Sequence, residues 1–305
     1  ICMIKILLYY KYVNINDIES FKNKHLADCE SLGLKGRILL SAEGINGSVS
    51  GTAQQTESYK KLLTSDSRFS DIKFKEDDGV SHPFKRMIIK VKKEIVRFEH
   101  DVNLKNTGKH ISPKQFLEVY ELDDNDKPLI IDARNNYEAR VGRFKDAVIL
   151  PIKTFSEFPK AINDLNIPKN KPVVMYCTGG VRCEKASAFM KEQGYNDVSQ
   201  LSGGILTFGK EFPDTVWEGK CFVFDKRLLS PINKKDVNNI PLTSCESCSI
   251  PCDLYKNCRN VTCDKYTIMC ISCDDKLAGN CSEKCKKEYL ASREERMEDE
   301  IEIKN

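Results

Sequence analysis

The sequence predicts a multidomain chain of mixed α+β and α/β class, with an α+β unit over residues 1–100, an α/β unit with a parallel sheet over 108–220, and a metal-stapled segment over 245–285. Three observations predict it. Residues 1–100 alternate strand-like and helix-like stretches without a cysteine pattern, the middle holds short apolar runs that pass through glycine into helical composition, and nine of the fourteen cysteines crowd between Cys245 and Cys285. At 305 residues and 40% hydrophobic, the chain can fill two or three ordinary cores.

In the first unit, Lys5–Val13 reads as a strand and Asn16–Leu32 as a helix opened by an Asn/Asp cap. Gly36–Ala42 and Gly47–Ser50 form a hairpin through Glu43-Gly-Ile-Asn, Thr52–Thr64 returns to helix, and Ile72–Lys75 and Arg86–Val96 supply further strand signal. The order β-α-β-β-α-β predicts a ferredoxin-like (acylphosphatase-like) split fold. Lys85, Arg86, Lys90, Lys92, Lys93 and Arg97 lie within thirteen residues beside Phe84 and Phe98. They are a candidate RNA face, since basic groups meet phosphates and aromatics stack bases; they also read as a solvated strand edge whose lysines block edge-to-edge pairing. The net charge of +3 makes any RNA surface local.

The middle unit carries the most informative stretch, Tyr176-Cys-Thr-Gly-Gly-Val-Arg-Cys-Glu-Lys-Ala-Ser187. Pro172-Val-Val-Met-Tyr reads as a buried strand and Glu184 to Gly194 as a helix, so Cys177 sits at a strand-to-helix turn. The loop Thr178, Gly179, Gly180 and Val181 can aim backbone N–H groups inward, and with the helix N-terminus and Arg182 they lower a thiol pKa. The spacing is C-x4-R, one residue shorter than the C-x5-R of cysteine phosphatases. The tighter ring suits a persulfide or another small sulfur species and crowds a tetrahedral phosphate. Cys183, next to Arg182, is a candidate resolving thiol, and also an ordinary core cysteine. The catalytic candidates are therefore Cys177 and Arg182.

In the last unit the cysteines are spaced Cys245-x2-Cys248-x3-Cys252-x5-Cys258-x4-Cys263-x6-Cys270-x2-Cys273-x7-Cys281-x3-Cys285. Metal binding is favoured over disulfides in a chain expected to be cytoplasmic. The two C-x2-C knuckles, Cys245/Cys248 and Cys270/Cys273, suit one structural four-cysteine zinc site. Cys252, Cys258, Cys263, Cys281 and Cys285 can furnish a second with one thiol left over, with exchange of partners between sites open. An iron–sulfur cluster is the alternative. The segment has few large apolar side chains, so the metal's first task is folding.

Residues 221–244 read as a linker broken by Pro231 and Pro241, and 286–305 as a charged, solvated tail. Ile6-Leu-Leu-Tyr-Tyr10 is too short to be a signal or membrane segment, and no membrane partner is expected. The chain shows no Gly-rich dinucleotide fingerprint, hence no flavin or nicotinamide motif, and its four histidines show no ligand-pair spacing.

Pro128-Leu-Ile-Ile-Asp-Ala-Arg134, Tyr137-Glu138, Gly142, Phe144, the Cys177 loop, Gly194-Tyr195 and Leu201-Ser-Gly-Gly-Ile205 together resemble the rhodanese-like domain over about residues 108–216. That resemblance makes Cys177 the persulfide-forming residue and Arg182 its anion-binding partner; Asp132, Arg134 and Glu138 read as structural braces. Adding Ser41-Ala-Glu-Gly-Ile-Asn-Gly-Ser48, His82-Pro-Phe, Cys221-Phe-Val-Phe-Asp225 and the cysteine cluster, almost the whole chain resembles the bacterial tRNA uridine hydroxylase family. The resemblance implies oxygen-dependent 5-hydroxylation of the wobble uridine of tRNA, with tRNA as partner, molecular oxygen as co-substrate and Cys177 as the essential residue. Two routes stand open: thiolate addition to C6 of the uracil, or an oxidised or persulfidated Cys177 that delivers oxygen. A rhodanese-type sulfurtransferase or persulfide carrier is the alternative activity.

Overall fold

A computed structural model describes residues 3–263 and 265–302. The first unit runs β1 (Ile4–Tyr12), α1 (Ile18–Ser31), β2 (Lys35–Ser41), β3 (Gly44–Gly51), α2 (Ala53–Ser65), β4 (Lys75–Gly79) and β5 (Met87–Val91). Its sheet order is β4-β1-β3-β2-β5. β1 is antiparallel to both neighbours, and only β5 runs parallel to its partner β2. This is the split pattern expected, with β5 added at one edge.

Period-two alternation assigns the two faces of β1. Leu7 and Tyr9 enter the core with Phe21 of α1 and Tyr59 and Leu63 of α2. Leu8, Tyr10 and Tyr12 therefore project from the face that carries no helix. A capping box between Thr52 and Gln55 starts α2.

Two boundaries differ from expectation. The hairpin turn is only Ala42-Glu43, because Gly44 already pairs with Ser41; at φ +148° and pressed against the Lys11 carbonyl, position 44 takes only glycine. The strand expected over Arg86–Val96 ends at Val91, where the chain leaves the sheet toward the middle unit.

That unit contains β6 (Lys109–Ile111), α3 (Pro113–Glu118), β7 (Leu129–Asp132), α4 (Asn136–Ala139), β8 (Gly142–Phe144), β9 (Val148–Ile149), α5 (Phe158–Asp164), β10 (Val173–Tyr176), α6 (Val181–Glu192), β11 (Val198–Leu201) and α7 (Gly204–Glu211). The sheet β6-β11-β10-β7-β9 is parallel throughout. Its central strand β10 is apolar and buried on both faces, as a sheet covered on both sides requires. On β10, Val173 and Met175 pack with Phe158 of α5 and Phe189 of α6, while Val174 and Tyr176 pack with Phe116 of α3 and Phe208 of α7.

Residues 221–244, expected as a linker, are partly sheet. β12 (Trp217–Phe222) pairs antiparallel with β8 and with β13 (Leu229–Pro231), which folds the chain back onto the middle unit. β14 (Tyr255–Asn257), β15 (Tyr266–Ile268), α8 (Ile271–Lys276) and α9 (Glu283–Glu302) are the last elements of the described residues. Phe222, Tyr255, Ile268 and Met269 make a small core shared with Cys245 and Cys270. Among the described residues no helix is long and apolar enough to cross a membrane.

The first and middle units meet at the start of α6. Tyr10 donates to Glu184 Oε1 (2.9 Å) and Tyr12 to the Val181 carbonyl (3.0 Å). Lys185, 3% exposed at its side chain, spans to Glu43 (2.9 Å) and Glu94 (3.0 Å). The Glu43-Gly-Ile-Asn46 segment thus works as a docking element, with Asn46 Nδ2 also donating to the Ile95 carbonyl.

Candidate active site and cysteine clusters

Cys177 follows β10 directly, and α6 begins four residues later at Val181, with Gly180 as its N-cap at φ +105°. The turn aims donors at the sulfur. Gly180 N–H donates to Sγ at 3.1 Å, and the backbone N–H groups of Arg182 and Cys183 and the Cys183 thiol favour its ionised form. Burial pushes the Cys177 thiol up, but the Cys183 thiol, the Arg182 guanidinium and those N–H groups outweigh it and hold the pKa at about 6. Cys177 is therefore a thiolate at neutral pH. Cys183 moves the opposite way, because it is buried and gives its proton toward Cys177.

Arg182 is held from the opposite side. Its Nη1 and Nη2 donate to the two carboxylate oxygens of Glu138 at 2.5 and 2.8 Å, with both side chains buried. The bidentate pair fixes the guanidinium as a standing positive charge beside the loop. Asp132 and Arg134 form a second buried pair, in which Arg134 Nη2 also donates to the Gly142 carbonyl (2.7 Å) and Tyr176 to Asp132 (2.8 Å). That pair braces β7, β8 and β10. Glu138, read from sequence as another brace, belongs to the cysteine site through Arg182.

The two loop glycines have a steric reason. A Cβ on Gly179 would lie 2.9 Å from Leu8 Cδ2, and one on Gly180 2.8 Å from the Tyr10 hydroxyl. The helix-free face of the first sheet thus roofs the loop, leaving a cleft of about 440 Å³. Its walls include Leu8, Tyr10, Lys75 and Phe84 of the first unit, Thr178 and Arg182 of the loop, and Phe224 beyond β12. Phe224 is 55% exposed, with the Arg182 guanidinium 5.7 Å from its ring centroid. Thr178 Oγ1 is buried and has no hydrogen-bond partner among the described residues.

Of the basic cluster only Arg97 lines this cleft; Lys85, Arg86, Lys90, Lys92 and Lys93 are exposed outside it. Phe98 lies in the middle-unit core against Phe155 and Phe158, so it offers no stacking face. The histidines fall in separate places: His25 bonds Tyr59, His82 bonds Ser50, His100 packs on Phe98 and Phe189, and His110 approaches Glu184. Sequence reasoning missed Lys75 and Phe224 as cleft residues. The Cys221-Phe-Val-Phe-Asp225 motif carried a signal for Phe224, whereas Lys75 had none in its own neighbourhood.

The cysteines of the last unit gather into two groups, Cys245, Cys248, Cys270 and Cys273, and Cys258, Cys263, Cys281 and Cys285, with all sulfurs of a group within 4.8 Å of one another. A tetrahedral ion with metal–sulfur bonds of about 2.3 Å needs sulfur–sulfur edges of about 3.8 Å. The edges Cys248–Cys270, Cys263–Cys281 and Cys281–Cys285 measure 3.7, 3.7 and 3.6 Å. Each group could hold a metal ion. Cys252 stands outside both, buried, with its sulfur accepting from Leu254 N–H.

A thiolate on a strand-to-helix loop of a parallel sheet, under a ferredoxin-like roof, defines a rhodanese-type cysteine enzyme with an added α+β domain. Residues 4–95 match the UPF0176 acylphosphatase like domain, 116–211 the Rhodanese-like domain, and 218–286 the Rhodanase C-terminal model. The chain is 42% identical to the tRNA uridine(34) hydroxylase of Cytophaga hutchinsonii, covering 92% of this chain and 89% of the relative. It is 44% identical to that of Bacillus pumilus and 43% to that of Bacillus licheniformis, each over 92% of this chain and 88% of the relative. A solved rhodanese-like domain from Anabaena sp. covers 36% of this chain and 78% of its own at 19% identity, with a TM-score of 0.31. The chain belongs to the tRNA uridine(34) hydroxylase family.

Proposed function

We propose that this protein hydroxylates the wobble uridine of tRNA at C5, with molecular oxygen as co-substrate and Cys177 as the nucleophile. The observation that carries the reading is the Cys177 thiolate beside a roofed cleft of about 440 Å³, a size suited to one nucleotide unit. An anticodon-loop base is unpaired and can be splayed into such a cleft. Phe224 and Phe84 offer it apolar surface to stack on, and exposed Lys85, Arg86, Lys90, Lys92, Lys93 and Arg97 supply charge for the flanking phosphates.

Thiolate addition to C6 forms an S–C6 bond and moves the C5=C6 electron pair toward C5 and O4, making C5 nucleophilic. The overall change is uridine plus O2, two electrons and two protons to 5-hydroxyuridine plus water; an external two-electron donor supplies the electrons, and the thiolate leaves when C5 loses its proton. The fixed Arg182–Glu138 pair keeps Cys177 ionised before substrate arrives. Zinc is the ion we assign to both cysteine groups, because four thiolates without an open position suit a structural site.

Nucleoside mass spectrometry of tRNA treated with wild-type and Cys177→Ser protein tests the reading. 5-Hydroxyuridine is expected with the first and absent with the second. Undiminished product from Cys177→Ser sinks it. Thiocyanate formation from thiosulfate and cyanide, without tRNA hydroxylation, selects sulfur transfer instead.

A further inference from the structure

Lys75 opens β4 at the sheet edge, opposite Leu8 of β1. Its stem runs along the cleft wall to the cysteine loop: Cδ lies 4.0 Å from where a Cβ on Gly179 would sit, and Nζ lies 4.9 Å from the centroid of the Tyr10 ring. Three other cations of the cleft are ion-paired with carboxylates. Arg182 is paired with Glu138, Arg227 with Asp225 and Asp77, and Arg97 with Glu99. Glu184, an acid whose charge reaches Lys75, already accepts from Tyr10 and Gln200 and lies beside His110. Among the described residues no carboxylate forms an ion pair with Lys75. Arg37 and Lys210 also line the cleft, but it is the Lys75 stem that lies against Gly179.

We propose that Lys75 is a catalytic residue contributed by the first unit, whose ammonium stabilises the negative charge displaced onto O4 of the pyrimidine when Cys177 adds to C6. This rests on the reading of Cys177 as a nucleophile toward C6. Addition of the thiolate creates an enolate, and an enolate in a roofed cleft needs a donor where its charge develops. Arg182, the expected anion partner, has both terminal nitrogens turned to Glu138, which leaves that task open. Burial also draws the Lys75 pKa down to about 8, with Cys177 and Glu184 holding it up and Lys73 opposing them. A proton so loosely held can be lent to O4 and recovered.

The addition step needs no oxygen, so it can be observed alone. In anaerobic heavy water, addition at C6, deuteration at C5 and elimination exchange the C5 hydrogen of the wobble uridine, which mass spectrometry of the tRNA reads. The wild-type protein is expected to exchange it, Lys75→Met to do so on the order of 100-fold more slowly, and Lys75→Arg to recover most of the rate. Thermal melting and alkylation of Cys177 at pH 8, both near wild-type in Lys75→Met, show that the variant is folded with its thiolate intact. Exchange by Lys75→Met at the wild-type rate overturns the role of Lys75 alone. Wild-type protein that hydroxylates tRNA but exchanges nothing overturns C6 addition itself, and the role of Lys75 with it.

Discussion

Glu138 and Arg182 meet through two hydrogen bonds of 2.5 and 2.8 Å, and the carboxylate side chain of the pair is wholly buried. The pair decides what the arginine can do for Cys177: it acts as fixed charge.

Replacing Glu138 by Gln strands a buried guanidinium, so stability is expected to fall by about 3–5 kcal/mol, read by chemical denaturation. The same change removes a negative charge near the thiolate. The Cys177 pKa is therefore expected to fall below its wild-type value while the fold weakens, and the pH profile of iodoacetamide alkylation separates the two effects.

Alkylation of wild-type Cys177 should follow a midpoint near pH 6 instead of the ordinary thiol value. Cys183→Ala removes the thiol that donates to Cys177 and is expected to raise the midpoint. The folded pKa lies below the unfolded one, so the ionised cysteine contributes stability that is fully present above about pH 9 and is lost as pH falls through about 6. The stability advantage over Cys177→Ser should shrink across that window. Mild peroxide followed by mass spectrometry tests Cys183 as a resolving thiol: a Cys177–Cys183 disulfide is expected if it serves as one.

Metal analysis of the purified protein is expected to find two zinc ions per chain, falling to one in Cys258→Ser or Cys248→Ser. Cys252→Ser should keep both, since its sulfur lies outside the two groups. Strong chelation is expected to lower the melting temperature, because the last unit has only a small apolar core of its own.

Lys185→Met leaves Glu43 and Glu94 facing each other without their shared cation. The first unit is expected to dock more loosely, seen as faster proteolysis between residues 92 and 108 and a several-fold loss of tRNA hydroxylation. Alkylation of Cys177 by a small reagent should not slow.

Elements fixed by short-range pattern are legible in the sequence. Lys5–Val13 is legible as a strand and Thr52–Thr64 as a helix, but Ile6-Leu-Leu-Tyr-Tyr10 is apolar throughout, and only the packing of α1 and α2 on one side decides that Leu7 and Tyr9 are core. Strand ends were less legible. Whether β5 stops at Val91 or runs on depends on Glu43 and Asn46 catching the chain at Ile95, more than forty residues away in sequence. The stretch after Cys221 reads as a linker in sequence for the same reason: the partner of β12, β8, lies far upstream.

The sequence by itself determined that Cys177 sits on a glycine-rich strand-to-helix turn and that cysteines crowd the last unit, because both are matters of spacing along one short segment. Only the tertiary structure decided that Glu138 occupies Arg182, that Tyr10 and Lys75 roof the loop, and which four sulfurs share a corner. Those facts depend on side chains brought together across 44 residues for Glu138 and Arg182 and 174 for Tyr10 and Glu184. Charge and hydrogen bonding act through space, so separations of that size leave no periodic trace in the chain.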